Sequence, residues 1–196
     1  MTSALRKTLR ARRHALGAGT RTRLSRAITR HLLAAIGPTV RGRHIAGYAA
    51  LADEPDLGAA LAALAHRGAL IYLPRIDNYR LGRMSFALCD GDLRPNRYGI
   101  GEPGRAAPAR RAAALDIALL PLVGFDAHGV RLGMGGGYYD RAFAFRRQPR
   151  AVPRPRLIGI AFACQQVDAL PSAPHDVRLD AVVTESGLTR FARRTG

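Results

Sequence analysis

Leu5, Leu9 and Leu16 mark an apolar stripe that predicts a first helix over residues 3–16, with Arg6, Lys7, Arg10 and Arg13 on the same helix. Gly17 and Gly19 interrupt it, and Thr20 is placed to cap a second helix. Leu24, Ile28, Leu32 and Ile36 recur every fourth residue and make that second helix amphipathic, ended by Gly37-Pro38. Beyond that point the period changes. Short apolar runs at 44–49, 69–73, 84–88, 115–120, 157–161 and 181–184 read as strands, the second stopped by Pro74. Helices are predicted over 55–65 and 138–145. Residues 90–114 read as an irregular excursion, 121–137 as a turn-rich segment and 148–155 as a surface loop. Strands alternating with helices predict an α/β fold: one compact domain over residues 1–196, with a largely parallel central sheet flanked by helices.

Composition narrows the function classes. Hydrophobic residues make up 47% of the 196, enough for a sizeable core, which excludes a wholly disordered chain. The formal net charge is +17, and Lys7 is the sole lysine. A basic chain suits a nucleic-acid partner. The arginines are spread along the whole sequence, however, which favours the arginine-rich usage of a GC-rich genome, so no specific nucleic acid is expected. Cys89 and Cys164 have neither zinc-ligand spacing nor a disulfide framework, which fits a reducing cytoplasm. No apolar run approaches bilayer length, so no membrane partner is expected. The N-terminal segment reads as part of the folded protein, and a monomer or weak homo-oligomer is expected.

The densest chemical signal is Gly129-Val-Arg-Leu-Gly-Met-Gly-Gly-Gly-Tyr-Tyr-Asp-Arg141. Gly133 and Gly135 to Gly137 lie between a buried strand and a helix, where several N–H groups can converge on an anion. Asp140 follows in the first helical turn, suited to Mg²⁺, and Arg131 and Arg141 are suited to phosphate oxygens. The loop lacks a Gly-Lys-Ser/Thr ending, and Tyr138 replaces the third glycine of a dinucleotide fingerprint. The alternative is a turn that only lets helix and strand pack. Asp53-Glu54-Pro55-Asp56 places three acids after a strand, either at a ligand crevice or at a solvated helix start. His175-Asp176 and Asp180 precede the last strand, either as metal acids or as partners of Arg178.

Together these segments resemble the 5-formyltetrahydrofolate cyclo-ligase family, also called 5,10-methenyltetrahydrofolate synthetase. The matching pieces run in family order: Arg6-Lys-Thr-Leu-Arg10, Tyr48 to Glu54, Tyr98-Gly-Ile-Gly-Glu-Pro103, Leu119 to Asp126, the glycine loop, Ile158 to Phe162, and Gln165 to Asp180. The resemblance implies an ATP- and Mg²⁺-dependent ring closure of 5-formyltetrahydrofolate, which carries a polyglutamate tail in some forms. It also implies site residues. Arg6, Lys7, Arg10, Arg131, Leu132, Gly133, Met134, Gly135, Gly136, Gly137, Tyr138 and Tyr139 would meet ATP. Arg10, Ala49, Glu54, Gly135, Gly136, Gly137 and Tyr138 would line the folate pocket. Asp140 and Asp176 would hold the metal, with Asp180 the other choice for the second acid. Arg131, Asp140 and Arg141 would carry the chemistry. Met134 stands where relatives often have a basic residue, leaving Arg131 or Arg141 to supply that charge.

Overall fold

A computed structural model describes residues 2–89, 91–147 and 154–192. Two helices lead: α1 (Thr2–Ala15), with Arg12, Arg13 and His14 favourably placed in its last turn, and α2 (Ala18–Ile36). Gly17 caps α2, so Thr20 lies inside the helix rather than before it. Gly37, at φ +84°, donates its N–H to the Leu33 carbonyl and stops the helix, as expected.

The sheet then forms from β1 (His44–Ala46), β2 (Leu70–Asn78), β3 (Arg83–Leu88), and, after the small ladder of β4 (Leu93–Pro95) with β5 (Gly101–Pro103), β6 (Ala109–Arg110). It continues with β7 (Ile117–Pro121) and, after the hairpin of β8 (Gly124–Phe125) and β9 (Arg131–Leu132), β10 (Arg156–Ile160), β11 (Ala181–Thr184) and β12 (Gly187–Arg190). Helix α3 (Gly58–His66) joins β1 to β2, and α4 (Tyr138–Ala142) follows β9. The spatial order is β12-β11-β10-β7-β1-β2-β3-β6. Strands β11, β10, β7, β1 and β2 run parallel, and β12, β3 and β6 are antiparallel at the edges. The expected largely parallel α/β sheet is therefore what the chain forms.

The period of two sorts the strand side chains onto two faces. Ile45, Ile117, Leu119, Ile158 and Ile160 pack with Ile28 and Leu32 of α2 and Leu64 of α3. Ala46, Ala118, Leu120 and Leu157 face Phe86, Phe143 and Leu179 on the other side. Burial on both faces is why these strands read as continuous apolar runs.

Some expectations need correction. Pro74 does not stop β2, which runs to Asn78. The Tyr72 carbonyl accepts from Gly47 at the end of β1, so the alternate residue Pro74 turns its nitrogen toward the same side, where β1 has already ended. The next position on that side, Ile76, donates instead to Glu102 Oε1 at 3.1 Å. The 90–114 excursion thus contains ordered strands. Helix α3 begins later than residue 55, after Asp56 Oδ1 has taken the Gly58 N–H at 2.9 Å. Helix α4 ends at Ala142 and gives way to a 3₁₀ turn at Ala144–Arg147. Strand β12 is an addition to the strands predicted. Most of the 148–155 loop lies outside the described residues.

Strands β1 and β7 are neighbours whose connections leave in opposite directions, toward β2 and toward β10. In open α/β sheets the crevice at the carboxyl ends of such a pair is where ligands bind. One buried carboxylate ties down the segment behind it. Asp126, 1% exposed, accepts from His128 N (2.9 Å) and Val130 N (3.0 Å) through Oδ1, and from Leu170 N (3.1 Å) through Oδ2. Asp126→Ala strands these donors, so a loss of about 3 kcal/mol is expected in urea unfolding. Asp126→Asn, which keeps an acceptor oxygen, should recover part of it.

Candidate active site

The glycine loop runs from the end of β9 to the start of α4. Met134, Gly135 and Gly136 are exposed, and Gly135 (φ +100°) and Gly137 (φ +62°) hold left-handed conformations that only glycine adopts at little cost. The loop's carbonyls are taken from outside. Arg6 Nε donates to Gly133 O at 2.9 Å, and Arg141 Nη2 donates to Gly136 O at 2.5 Å. The N–H groups of Gly135, Gly136 and Gly137 have no acceptor among the described residues, so they are free to meet an anion.

The arginines divide their work. Arg141 also donates through Nε to Gly82 O at 3.1 Å, so it braces the loop against the β2–β3 turn. Arg6 places its guanidinium carbon 3.7 Å from where a Cβ on Gly135 would lie. Arg6 thus joins Arg141 as a cation on the loop, Arg6 at Gly133 and Gly135 and Arg141 at Gly136 and Gly137, on either side of exposed Met134 and its neighbours. Arg131 is buried, its Nη2 2.6 Å from Asp140 Oδ1, and its Nε has no partner among the described residues. Lys7 and Arg10 are exposed on α1.

Asp140 Oδ1 also accepts from Val177 N at 3.2 Å, which brings the 176–177 segment beside it. Asp176 Oδ2 accepts from Ala173 N at 2.7 Å, and Oδ1 lies 3.7 Å from His175 Nε2. Asp180 is committed elsewhere: both oxygens bond Arg146, at 2.7 and 2.6 Å, and Oδ2 takes the Leu157 N–H. Among the described residues no three acidic, histidine or cysteine side chains gather as a metal cage. Asp140 Oδ2 carries no hydrogen bond among them. One free carboxylate oxygen beside a phosphate nest fits Mg²⁺, which keeps several waters and binds through one or two carboxylates and phosphates.

The other wall is acidic and aromatic. Glu54 is 8% exposed, accepting from Leu51 N through Oε2 at 3.1 Å and from Arg13 Nη1 through Oε1 at 3.4 Å. Burial pushes its carboxyl above the ordinary value near 4.5, against the Leu51 N–H and the Arg13 charge. Desolvation, with Glu54 adding to it, also pushes the Tyr48 and Tyr139 hydroxyls up, so Glu54 lies within electrostatic reach of both. Ala49 lies against Gly101, where an added Cβ would come within 3.9 Å of its own. Tyr98 reaches across to Tyr138, hydroxyl to hydroxyl at 3.5 Å, and Arg97 stacks on Tyr79 and Tyr98 at 4.1 and 4.8 Å. A cavity of about 530 Å³ lies between α2 and the loop after β1, lined by Glu54 and Asp56 together with Arg21, Ser25 and Arg26 of α2, and does not reach the glycines.

Arg13 is a site residue that sequence reasoning places only on the first helix. It is 1% exposed and bonds Asp53, Glu54 and the Leu122 carbonyl. The sequence does carry a signal for it, because Arg13 fills the gap in the stripe between Leu9 and Leu16.

Residues 1–185 match the model of the 5-formyltetrahydrofolate cyclo-ligase family. The chain belongs to that family. The cyclo-ligase of Escherichia coli K12 is 34% identical over 152 residues, 76% of this chain and 81% of that one. The mouse cyclo-ligase is 28% identical over 188 residues, 92% of each. The solution structure of Aquifex aeolicus 5,10-methenyltetrahydrofolate synthetase superposes with a TM-score of 0.80 at 27% identity, over 100% of this chain and 94% of that chain. The Mycoplasma pneumoniae synthetase gives 0.72 at 26%, over 94% and 98%.

In this family member Glu54 should act against stability. A carboxyl whose folded value is raised binds its proton more tightly folded than unfolded. Its contribution is complete below the unfolded value and is lost as pH rises through the folded one. The stability of Glu54→Gln relative to wild type is therefore expected to increase as pH rises above the ordinary carboxyl range in urea titrations. A difference independent of pH would contradict the raised carboxyl.

Proposed function

We propose that the protein closes 5-formyltetrahydrofolate to 5,10-methenyltetrahydrofolate at the expense of ATP, releasing ADP and phosphate. One observation carries this reading beyond family membership. The glycine loop with Arg6 and the Arg131–Asp140 pair forms one set, Glu54 with its tyrosines forms another, and Tyr139 links them, lying within electrostatic reach of both Glu54 and Arg131. The first set suits phosphate. The second suits an uncharged heterocycle with N–H donors.

The formyl oxygen of an N-formyl group is a poor leaving group. Its attack on the γ-phosphorus forms a P–O bond and expels ADP, giving an iminium phosphate. The N10 amine then attacks the formyl carbon, loses its proton, and phosphate departs with its oxygen. The attack is intramolecular, so the protein's task is alignment and charge neutralisation. The N–H groups of Gly135 to Gly137 and the Arg6 guanidinium would hold the phosphates. Asp140, with Asp176 nearby, would hold Mg²⁺, which supplies charge neutralisation on the transferring phosphoryl group. Arg131 orients Asp140, and Arg141 keeps the loop in shape. Glu54 would accept from the amino and ring N–H groups of the pterin, with Ala49 and Tyr138 against its face.

The test is methenyltetrahydrofolate formation monitored by absorbance. Product is expected only with ATP present, with one ADP per turnover; no ATP-dependent product would refute the assignment. Asp140→Asn keeps shape and a partner for Val177 N but removes the charge. Turnover should fall by two orders of magnitude or more, about the loss of a strong electrostatic contact. Wild-type turnover with an unaltered Mg²⁺ dependence would remove Asp140 from the metal.

A further inference from the structure

We propose that Arg13 positions Glu54 for the reaction, fixing both the direction and the charge of its carboxylate. The proposal rests on the reading of Glu54 as the folate-facing acid. Arg13 comes from the stripe Leu5-Leu9-Arg13-Leu16 on α1, where an apolar residue would pack without burying a charge. Its donors are divided. Nε and Nη2 both reach Asp53 Oδ2, at 3.0 and 2.9 Å, while Nη1 reaches Glu54 Oε1 at 3.4 Å and Leu122 O at 3.5 Å. Asp53 alone would neutralise the guanidinium. The Nη1 branch does something further: with Leu51 N on Oε2, it leaves Glu54 held at both oxygens. The carboxylate plane is thereby set relative to the end of β7, just before Leu122.

The charged and titratable groups acting on Glu54 are Asp53 on its own loop, Tyr48 after β1, Tyr139 on α4 and Arg13 on α1, with Asp56 acting on Tyr48, and Arg21 and Arg26 of α2 line the cavity that Glu54 and Asp56 also line. Among these cations Arg13 is the one bonded to the Glu54 carboxylate. Burial and Asp53 favour the protonated acid, and the Leu51 N–H and Arg13 oppose them. A protonated Glu54 would present a donor where pterin N–H groups need an acceptor. Loss of Arg13 should therefore weaken folate recognition most at the acid end of the pH range.

The experiment compares wild type, Arg13→Lys, Arg13→Met, Glu54→Gln and the double variant Arg13→Met/Glu54→Gln. KM for 5-formyltetrahydrofolate and for ATP is measured between about pH 5 and 9. In Arg13→Met the folate KM at neutral pH is expected to rise about tenfold or more, the acid limb to move to higher pH, and the ATP KM to stay. Arg13→Lys should restore part of both changes. The double variant should bind folate no worse than Glu54→Gln alone, because Arg13 acts through that carboxylate. Wild-type folate KM in Glu54→Gln would refute the folate-facing reading. A weakened Glu54→Gln beside an unshifted acid limb in Arg13→Met, or additive losses in the double variant, would refute the role of Arg13 alone. If Arg13→Met does not fold, Arg13→Lys decides: a rise in folate KM alone supports the proposal, and an equal rise in both KM values, or none, overturns it.

Discussion

A guanidinium buried at the carboxyl ends of two parallel strands constrains everything around it. Moving such a charge out of water costs several kcal/mol, and an ion pair rarely returns more than it costs. Arg13 is tolerable because three chain segments converge on it: α1 supplies the charge, the loop after β1 supplies Asp53 and Glu54, and the end of β7 supplies a carbonyl. Gln165 completes the arrangement by donating to the same Leu122 carbonyl at 2.7 Å and to Val123 at 3.2 Å. No one of these elements can shift without leaving a charge or a backbone group unpaired. The first helix is therefore locked across the sheet's crevice by electrostatics, and Leu9 packs beside the lock against Val123, Val130 and Leu132.

The same lock joins two regions of opposite character. Toward the glycine loop the charges are positive, with Arg6 over Gly135 and Arg131 against Asp140. Toward the loop after β1 they are negative. Tyr139 lies between, desolvated, within the field of both Glu54 and Arg131. An anionic phosphate chain and a neutral ring rich in N–H donors would each find its own side. The order of charge across one crevice would then orient a two-part substrate pair.

Much of this was legible in the sequence, for a physical reason. Strands buried on both faces must be apolar throughout, so β7, β10 and β11 stand out, and the glycine loop stands out because few other uses concentrate four glycines in five residues. What escaped lies where side chains do the work of backbone, or where polarity misleads. β4 is fully exposed and carries no apolar pattern. Pro74 reads as a terminator because the sequence does not show where β1 stops. Arg13 stands in the apolar stripe of the first helix, but among so many arginines its position there is easily passed over. Asp176 and Asp180 are interchangeable in sequence; in the fold Asp180 pairs with Arg146, while the Val177 N–H brings the 176–177 segment to Asp140.

The edge of β2 beyond β1 is completed by a side chain rather than by a strand. Glu102 caps Ile76 and also accepts from Asn96 Nδ2 at 2.7 Å, while Arg75 Nη1 donates to the carbonyls of Gly104, Arg105 and Ala107. The β4–β5 ladder, which carries Tyr98 to Tyr138, is thus a bolted panel rather than part of the frame. Its turn can lengthen, shorten or exchange its aromatic residue without shifting the register of any strand in the main sheet. The depth and chemistry of the pocket wall are therefore free to diverge while the phosphate side, built on the sheet itself, stays fixed.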